Sequence, residues 1–115
     1  MTSIIIKDFK NGKKYLKASG HSGYGNAGTD IVCAGISALT MSFCNMCIEL
    51  EEEHKIQITK LEAEEGFIEI EVCDPFNNSM SAFRMLEIGL DAIKKNYSDF
   101  VNLCSEWEEN TNKNN

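Results

Sequence analysis

The sequence predicts an α/β domain of the α+β type: a mixed, mostly antiparallel sheet covered by two helices, in the order ββαββαβ. Three observations carry this expectation. A β-branched run is followed at once by an Asn-Gly pair, two long apolar stripes recur at helical spacing, and strand-like runs broken by turn residues separate those stripes. The 115 residues are 43% hydrophobic and 25% charged, which suits one domain over residues 1–107 and a polar tail, residues 108–115, expected to be disordered.

The first strand is read over residues 4–9, from Ile4 to Phe9. Asn11-Gly12 is expected to make a type I′ turn, which needs positive φ at both central residues, and to return the chain as a second strand over residues 13–18. Period-two alternation puts Leu16 and Ala18 on one face of that strand and Tyr15 and Lys17 on the other. Residues 19–28 hold Gly20, Gly23, Gly25 and Gly28 among small and polar residues, too permissive for regular structure, and read as a loop.

Val32, Ile36, Leu39, Phe43, Met46 and Leu50 then step by 4, 3, 4, 3 and 4, the stripe of a helix that buries one face. Thr29 or Asp30 can cap its start, and Glu49 with Glu51, Glu52 and Glu53 opposes the dipole at its end, where fraying is expected. Residues 55–61, with Ile56 and Ile58, and residues 67–72, with Ile68, Ile70 and Val72 alternating with Glu69 and Glu71, are read as strands broken by Gly66. Pro75 and the Asn77-Asn78-Ser79 cluster punctuate the chain before a second helix through Met80, Phe83, Leu86, Leu90, Ile93 and Tyr97. A last strand over residues 100–107 places Val101, Leu103 and Trp107 on one face.

Charge and cysteine content narrow the function classes. A net charge of −7 argues against a sequence-independent grip on nucleic acid, which needs clustered Lys and Arg, and fits a basic partner. No stretch is read as approaching the roughly 18 apolar residues of a membrane span, and the start lacks the features of a signal peptide, so no membrane contact and a cytoplasmic location are expected. The five cysteines, odd in number, are expected to be reduced thiols.

The informative stretch runs from Gly20-His21 to Ser37. If Asp30 caps the helix, Cys33 is its third residue, where free backbone N–H groups and the positive end of the macrodipole stabilise a thiolate. The same N–H groups can receive the oxyanion formed when a thiolate attacks a carbonyl. His21 is a proton carrier suited to neutral pH, and the intervening loop allows its ring to fold back to the helix start. Asp30 can orient the imidazolium or cap the helix, and Ser37 lies one turn beyond Cys33 on the same helix face. On spacing alone, Cys33 also reads as a small core residue, His21 as incidental at a strand end, and Ser37 as a surface hydroxyl.

Gly20-His21, then Gly28-Thr29-Asp30-Ile31-Val32-Cys33-Ala34 and Ser37, resembles the signature of the ribosomal-processing cysteine proteases, the Prp family. These belong to bacteria that make one large-subunit ribosomal protein with a short N-terminal extension. The resemblance covers about residues 1–107 and implies a cytoplasmic endopeptidase, without metal or other cofactor, that removes the extension during ribosome assembly. It implies Cys33 as nucleophile, His21 as general base, Asp30 and Ser37 as supporting residues, and Gly20 as the residue that lets His21 sit correctly. It also implies a homodimer, a mobile glycine-rich loop beside the site (Gly20, Gly23, Gly25, Gly28) and an apolar groove for a substrate with paired aromatics. The alternative is a non-enzymatic acidic module that docks on a basic ribosomal protein during assembly.

Other signals are weaker. Gly23-Tyr24-Gly25-Asn26-Ala27-Gly28 is a literal G-x-G-x-x-G, but it follows a hairpin strand rather than opening a βαβ unit, so nucleotide binding is not expected. Cys44 and Cys47 form a C-x-x-C in mid-helix, read as buried thiols rather than a redox pair; a zinc site would need His54 or Cys73 as well. Phe83, Trp107 and the methionines read as core or dimer interface.

Overall fold

A computed structural model describes residues 1–26 and 28–108, with the side chains of Trp107 and Glu108 left out; the expected disorder of the tail from residue 109 onward lies outside the described residues. The elements are β1 (Thr2–Phe9), β2 (Lys13–Ser19), α1 (Ile31–Glu52), β3 (Gln57–Glu64), β4 (Phe67–Cys73), α2 (Met80–Asn96) and β5 (Val101–Glu108). The order ββαββαβ is the one the sequence predicts. The sheet runs β3-β4-β2-β1-β5, with β1 and β5 parallel and every other pair antiparallel.

Each helix spans a crossover. β2 and β3 run parallel with β4 between them, and β4 and β5 run parallel with β2 and β1 between them, so both connections must cross the sheet. Ile4, Ile6, Leu16, Ile70, Val72 and Val101 point from the sheet into one core with Val32, Ile36 and Phe43 of α1 and Phe83, Leu86 and Leu90 of α2. The opposite face carries Lys and Glu side chains on neighbouring strands, among them the Lys60–Glu69 and Lys7–Glu106 pairs.

The first hairpin differs from the expected turn. Phe9 and Lys13 end the strands, so the connection has three residues, and of Asn11 and Gly12 only Gly12 has positive φ, at 94°. The Asn11 side chain accepts from Lys13 N at 3.1 Å and Gly12 N donates to Phe9 O at 3.0 Å, so a turn followed by one left-handed glycine replaces the type I′ geometry. Gly12 O also accepts from Asp74 N at 2.8 Å, tying the hairpin to the end of β4.

α1 extends further into its acidic end than the charge pattern suggests. It continues through Glu52, and Glu51 accepts from Ile58 N at 2.7 Å, which anchors the last turn to β3. Its buried face is Val32, Ile36, Thr40, Phe43, Cys44 and Cys47. Met46, placed in the core stripe by spacing, is instead 43% exposed, because Cys47 takes the inward position one turn after Phe43. Met80 is likewise exposed at the start of α2. By length and composition α1 is apolar enough to cross a membrane, contrary to the expectation that no stretch approaches one, because its charges are confined to its last turn. Here one face of it packs in the core of the domain.

β3 begins and ends later than expected, at Gln57 and Glu64, and a register shift between Ile58 and Lys60 changes its parity. Ile58 pairs with Val72, but beyond the bulge Leu61 and Ala63 pair with Ile70 and Ile68. The core side of β3 therefore switches from even to odd positions, which carries Ala63 over the start of α1.

At one end of the sheet a buried Asp74 organises the entry to α2. It accepts from Asn78 N and Ser79 N, each at 2.8 Å, from the Ser79 hydroxyl, and from Lys14 Nζ at 3.5 Å. Burial acts to raise its pKa, but these donors outweigh it and hold the carboxyl below the ordinary range.

A β-carbon at Gly12 would lie 2.6 Å from Pro75 Cα and 2.7 Å from Asp74 O, in a backbone region that L side chains rarely adopt. Gly12→Ala is expected to destabilise the fold by about 1–3 kcal/mol, read from urea unfolding; an unchanged midpoint would contradict this account of the hairpin.

Candidate active site

The register decides what meets at the other end of the sheet. Ser19 at the end of β2 pairs with Ser3 of β1 and with Phe67 of β4, so the chain leaving β2 emerges beside the N-terminus and beside the Glu65-Gly66 turn of the β3–β4 hairpin. Gly20 N extends the ladder by donating to Gly66 O at 2.9 Å. Gly20 has φ 90°, and a β-carbon there would stand 2.9 Å from Met1 O, so glycine is required for the chain to turn here and present His21. The exposed His21 ring lies on Gly66, whose missing β-carbon would be 3.2 Å from Nε2.

The loop then runs into α1 through a hydrogen-bonded cluster. Asp30 is the N-cap: Oδ1 accepts from Cys33 N at 2.9 Å, while Oδ2 accepts from the Ser22 hydroxyl at 2.5 Å and from Gly25 N at 3.2 Å. Cys33 is thus the third helical residue, as its spacing from Asp30 predicts, and its Sγ accepts from Ser22 N at 3.2 Å. The loop is further held by Thr29 N on Asn26 O at 3.0 Å. Tyr24 adds edge contacts to Tyr97 and Phe100, with ring centroids 5.3 and 5.2 Å away.

His21, Asp30, Cys33 and Ser37 all line one cleft of about 680 Å³, bounded by α1 on one side and by the β3–β4 hairpin, with Glu64 and Phe67, on the other. A half-buried thiol and an exposed imidazole facing one solvent-filled cleft are the parts of a thiol hydrolase. No group of His, Cys, Asp or Glu able to hold a metal occurs among the described residues.

A family model described as cysteine protease Prp matches residues 1–102. The chain belongs to the Prp family. Among solved structures, the ribosomal processing protease Prp of S. aureus with a covalently linked product peptide matches at TM-score 0.77 and 25% identity, over 91% of this chain and 99% of that one. SMU.848 from Streptococcus mutans matches at TM-score 0.63 and 22% identity, over 94% and 96% of the two chains. The S. aureus protease with a substrate peptide matches at TM-score 0.65 and 22% identity, over 91% and 99%. The last two likenesses show the fold. No curated protein matches the chain.

As a member of this family the protein is a cysteine protease. Asp30 takes the capping role the sequence offers it, bonded to Ser22, Gly25 and Cys33. The helix N–H groups are also less free than spacing suggests. Those of Cys33 and Ala34 are already bonded to Asp30, the latter to its carbonyl at 3.0 Å. Cys44 and Cys47 are buried in the core, and burial raises their thiols to about 11 and about 12, which keeps both protonated and unreactive.

Ser22 and Gly66 were not singled out from the sequence in this Prp-family chain. Ser22 had a local signal: its hydroxyl accepts from Tyr24 N at 3.2 Å, the turn that a serine before glycine favours. Gly66 had none, because its place beside His21 depends on strand register.

The Ser22 hydroxyl, with the Cys33 and Gly25 N–H groups, holds the Asp30 carboxyl well below the usual carboxylate range against the opposing effect of burial. A depressed carboxyl contributes stability that is present above its unfolded pKa of about 4 and is lost as pH falls toward the folded value. Asp30→Asn is therefore expected to lower stability at pH 7 and to flatten the acid limb below pH ~4 in thermal melts. An acid limb identical to that of the parent protein would refute this.

Proposed function

We propose that this protein is the endopeptidase that removes the N-terminal extension of a large-subunit ribosomal protein during ribosome assembly, with Cys33 as nucleophile and His21 as general base. The observation that carries the reading is the convergence of Cys33, at the start of α1, and His21, after β2, on one cleft. The S. aureus relatives, described as a ribosomal processing protease with product and substrate peptides, support a peptide from a ribosomal protein as substrate.

In this reading His21 takes the Cys33 proton and the thiolate attacks the scissile carbonyl carbon. The tetrahedral oxyanion forms beside the start of α1, whose positive dipole end favours negative charge. Collapse breaks the C–N bond as His21 gives its proton to the leaving amine, leaving a thioester on Cys33. His21 then takes a proton from water, whose hydroxide attacks the thioester and releases the carboxylic acid and the thiol. No step needs a metal or cofactor. Ser37, exposed on the cleft one turn beyond Cys33, and Asp30 act as supporting residues, Asp30 by fixing the helix start. Met41, Phe67 and Ile68 give the cleft an apolar wall suited to the aromatic side chains that the family resemblance implies for the substrate.

The net negative charge favours encounter with a basic ribosomal protein, and action in the cytoplasm belongs to the same proposal. So does a homodimer, for which the apolar residues that α1 leaves exposed, Ile31, Met41 and Ile48, offer a surface. Sedimentation at twice the chain mass supports the dimer, and a monomer at micromolar concentration removes it.

Incubation of the ribosomal protein bearing its extension with this protein under reducing conditions, followed by mass spectrometry, is expected to show a single cut. Cys33→Ala and His21→Ala are each expected to lower kcat/KM by at least about a thousandfold while the far-ultraviolet dichroism stays unchanged. An intact substrate that still binds would turn the reading toward a docking module, and substantial cleavage by Cys33→Ala would remove Cys33 as nucleophile.

A further inference from the structure

We infer that Ser22 is a positioning residue for the Cys33 thiolate, acting with both ends: its hydroxyl is anchored on the helix cap and its backbone N–H is aimed at the sulfur. The inference rests on the proposed role of Cys33 as nucleophile.

The sulfur sits in a conflicting field. Cys33 lies at a helix start, which favours negative charge, but its own backbone N–H is bonded to the Asp30 carboxylate at 2.9 Å, which brings a second negative charge close to the sulfur. A thiolate formed beside a carboxylate needs a hydrogen-bond donor of its own and a carboxylate held by other donors. Ser22 meets both needs. Its hydroxyl donates to Asp30 Oδ2 at 2.5 Å, and its N–H donates to Cys33 Sγ at 3.2 Å.

The arrangement is rigid where it must be. Ser22 is 2% exposed, and its hydroxyl has its proton on Asp30 and its lone pair on Tyr24 N at 3.2 Å, so both its donor and an acceptor site are engaged. Anchoring the side chain fixes the His21–Ser22 peptide, whose N–H is the one on the sulfur. That same peptide joins the imidazole of His21 to the cluster, so one hydroxyl aims both the donor to the thiolate and the backbone from which the base projects. Asp30 binds Cys33 N and Ser22 Oγ through different oxygens, which locks the helix start and the loop to one carboxylate.

The test reads the ionisation of Cys33 directly. Iodoacetamide alkylation of Cys33, followed by mass spectrometry across pH, is measured for the parent protein and Ser22→Ala, alongside steady-state kinetics on the substrate peptide. Loss of the hydroxyl is expected to move the alkylation profile to higher pH, to slow alkylation at pH 7 about three- to tenfold, and to lower kcat about tenfold with KM held. A profile that overlays that of the parent overturns the inference, whatever happens to the melting temperature, because a merely structural serine would change stability without moving the ionisation of Cys33.

Should Ser22→Ala not fold, the parent protein decides the matter. The Ser22 amide proton resonance is expected to titrate together with Cys33 and to lose that titration in Cys33→Ala; an amide that does not respond overturns the inference. Both readouts are independent of peptide cleavage. A parent protein that cleaves nothing would sink the protease reading, while alkylation and amide titration would still judge Ser22.

Discussion

The functional end of this molecule depends on one carboxylate. Asp30 ends the glycine loop and begins α1, and without an acceptor there the first N–H groups of the helix would be left to water. By taking Cys33 N on one oxygen and Ser22 and Gly25 on the other, it converts a helix-capping requirement into a spatial one. The loop has to fold back over the helix start, and Cys33 has to be the residue that faces it. Removing the cap would free the loop and Cys33 together, which couples local stability to the geometry of the cleft.

Strand register supplies what the cap cannot. His21 is brought to the cleft by the end of β2 and rests on Gly66, which arrives from the far side of the β3–β4 hairpin. That hairpin reaches over α1 because a bulge near Thr59 switches which positions of β3 face the core, so Ala63 joins the cleft wall. His21 and Cys33 therefore rest on separate elements whose relative position is set by backbone pairing through β1, β2 and β4. Sites held in this way tolerate variation in the loop better than loss of register.

The order of elements, their types and the capping position of Asp30 were legible because each follows from local chemistry: alternation, helical spacing, and a short polar residue before an apolar run. The thiol at the helix start and the histidine after β2 were legible as a pair once their motif resembled a known family. What sequence did not reveal has a common cause. The three-residue form of the first hairpin depends on Asn11 and on Asp74 reaching Gly12 from a distant strand; the parity switch in β3 depends on a bulge; and Gly66 depends on pairing across the sheet. Met46 falls on the apolar stripe by spacing but is exposed, whereas Cys47, beside the stripe and read as a buried thiol, takes the inward position.

The two ends of the sheet use the same device for opposite purposes. Asp74 at one end and Asp30 at the other each gather backbone N–H groups and a serine hydroxyl at the entry to a helix, and each carboxyl is held below its ordinary range. At Asp74 the cluster is closed by the buried Lys14 ammonium, which itself bonds Asn77 Oδ1 at 3.1 Å, and nothing reactive is in it. At Asp30 no cation closes the cluster among the described residues; the position facing it is occupied by the Cys33 sulfur, open to the cleft. The lysine-paired carboxylate thus lies at a buried helix entry, and the carboxylate without a cation lies at the helix entry that opens on the cleft, the arrangement expected when one helix terminus serves folding and the proposed chemistry together.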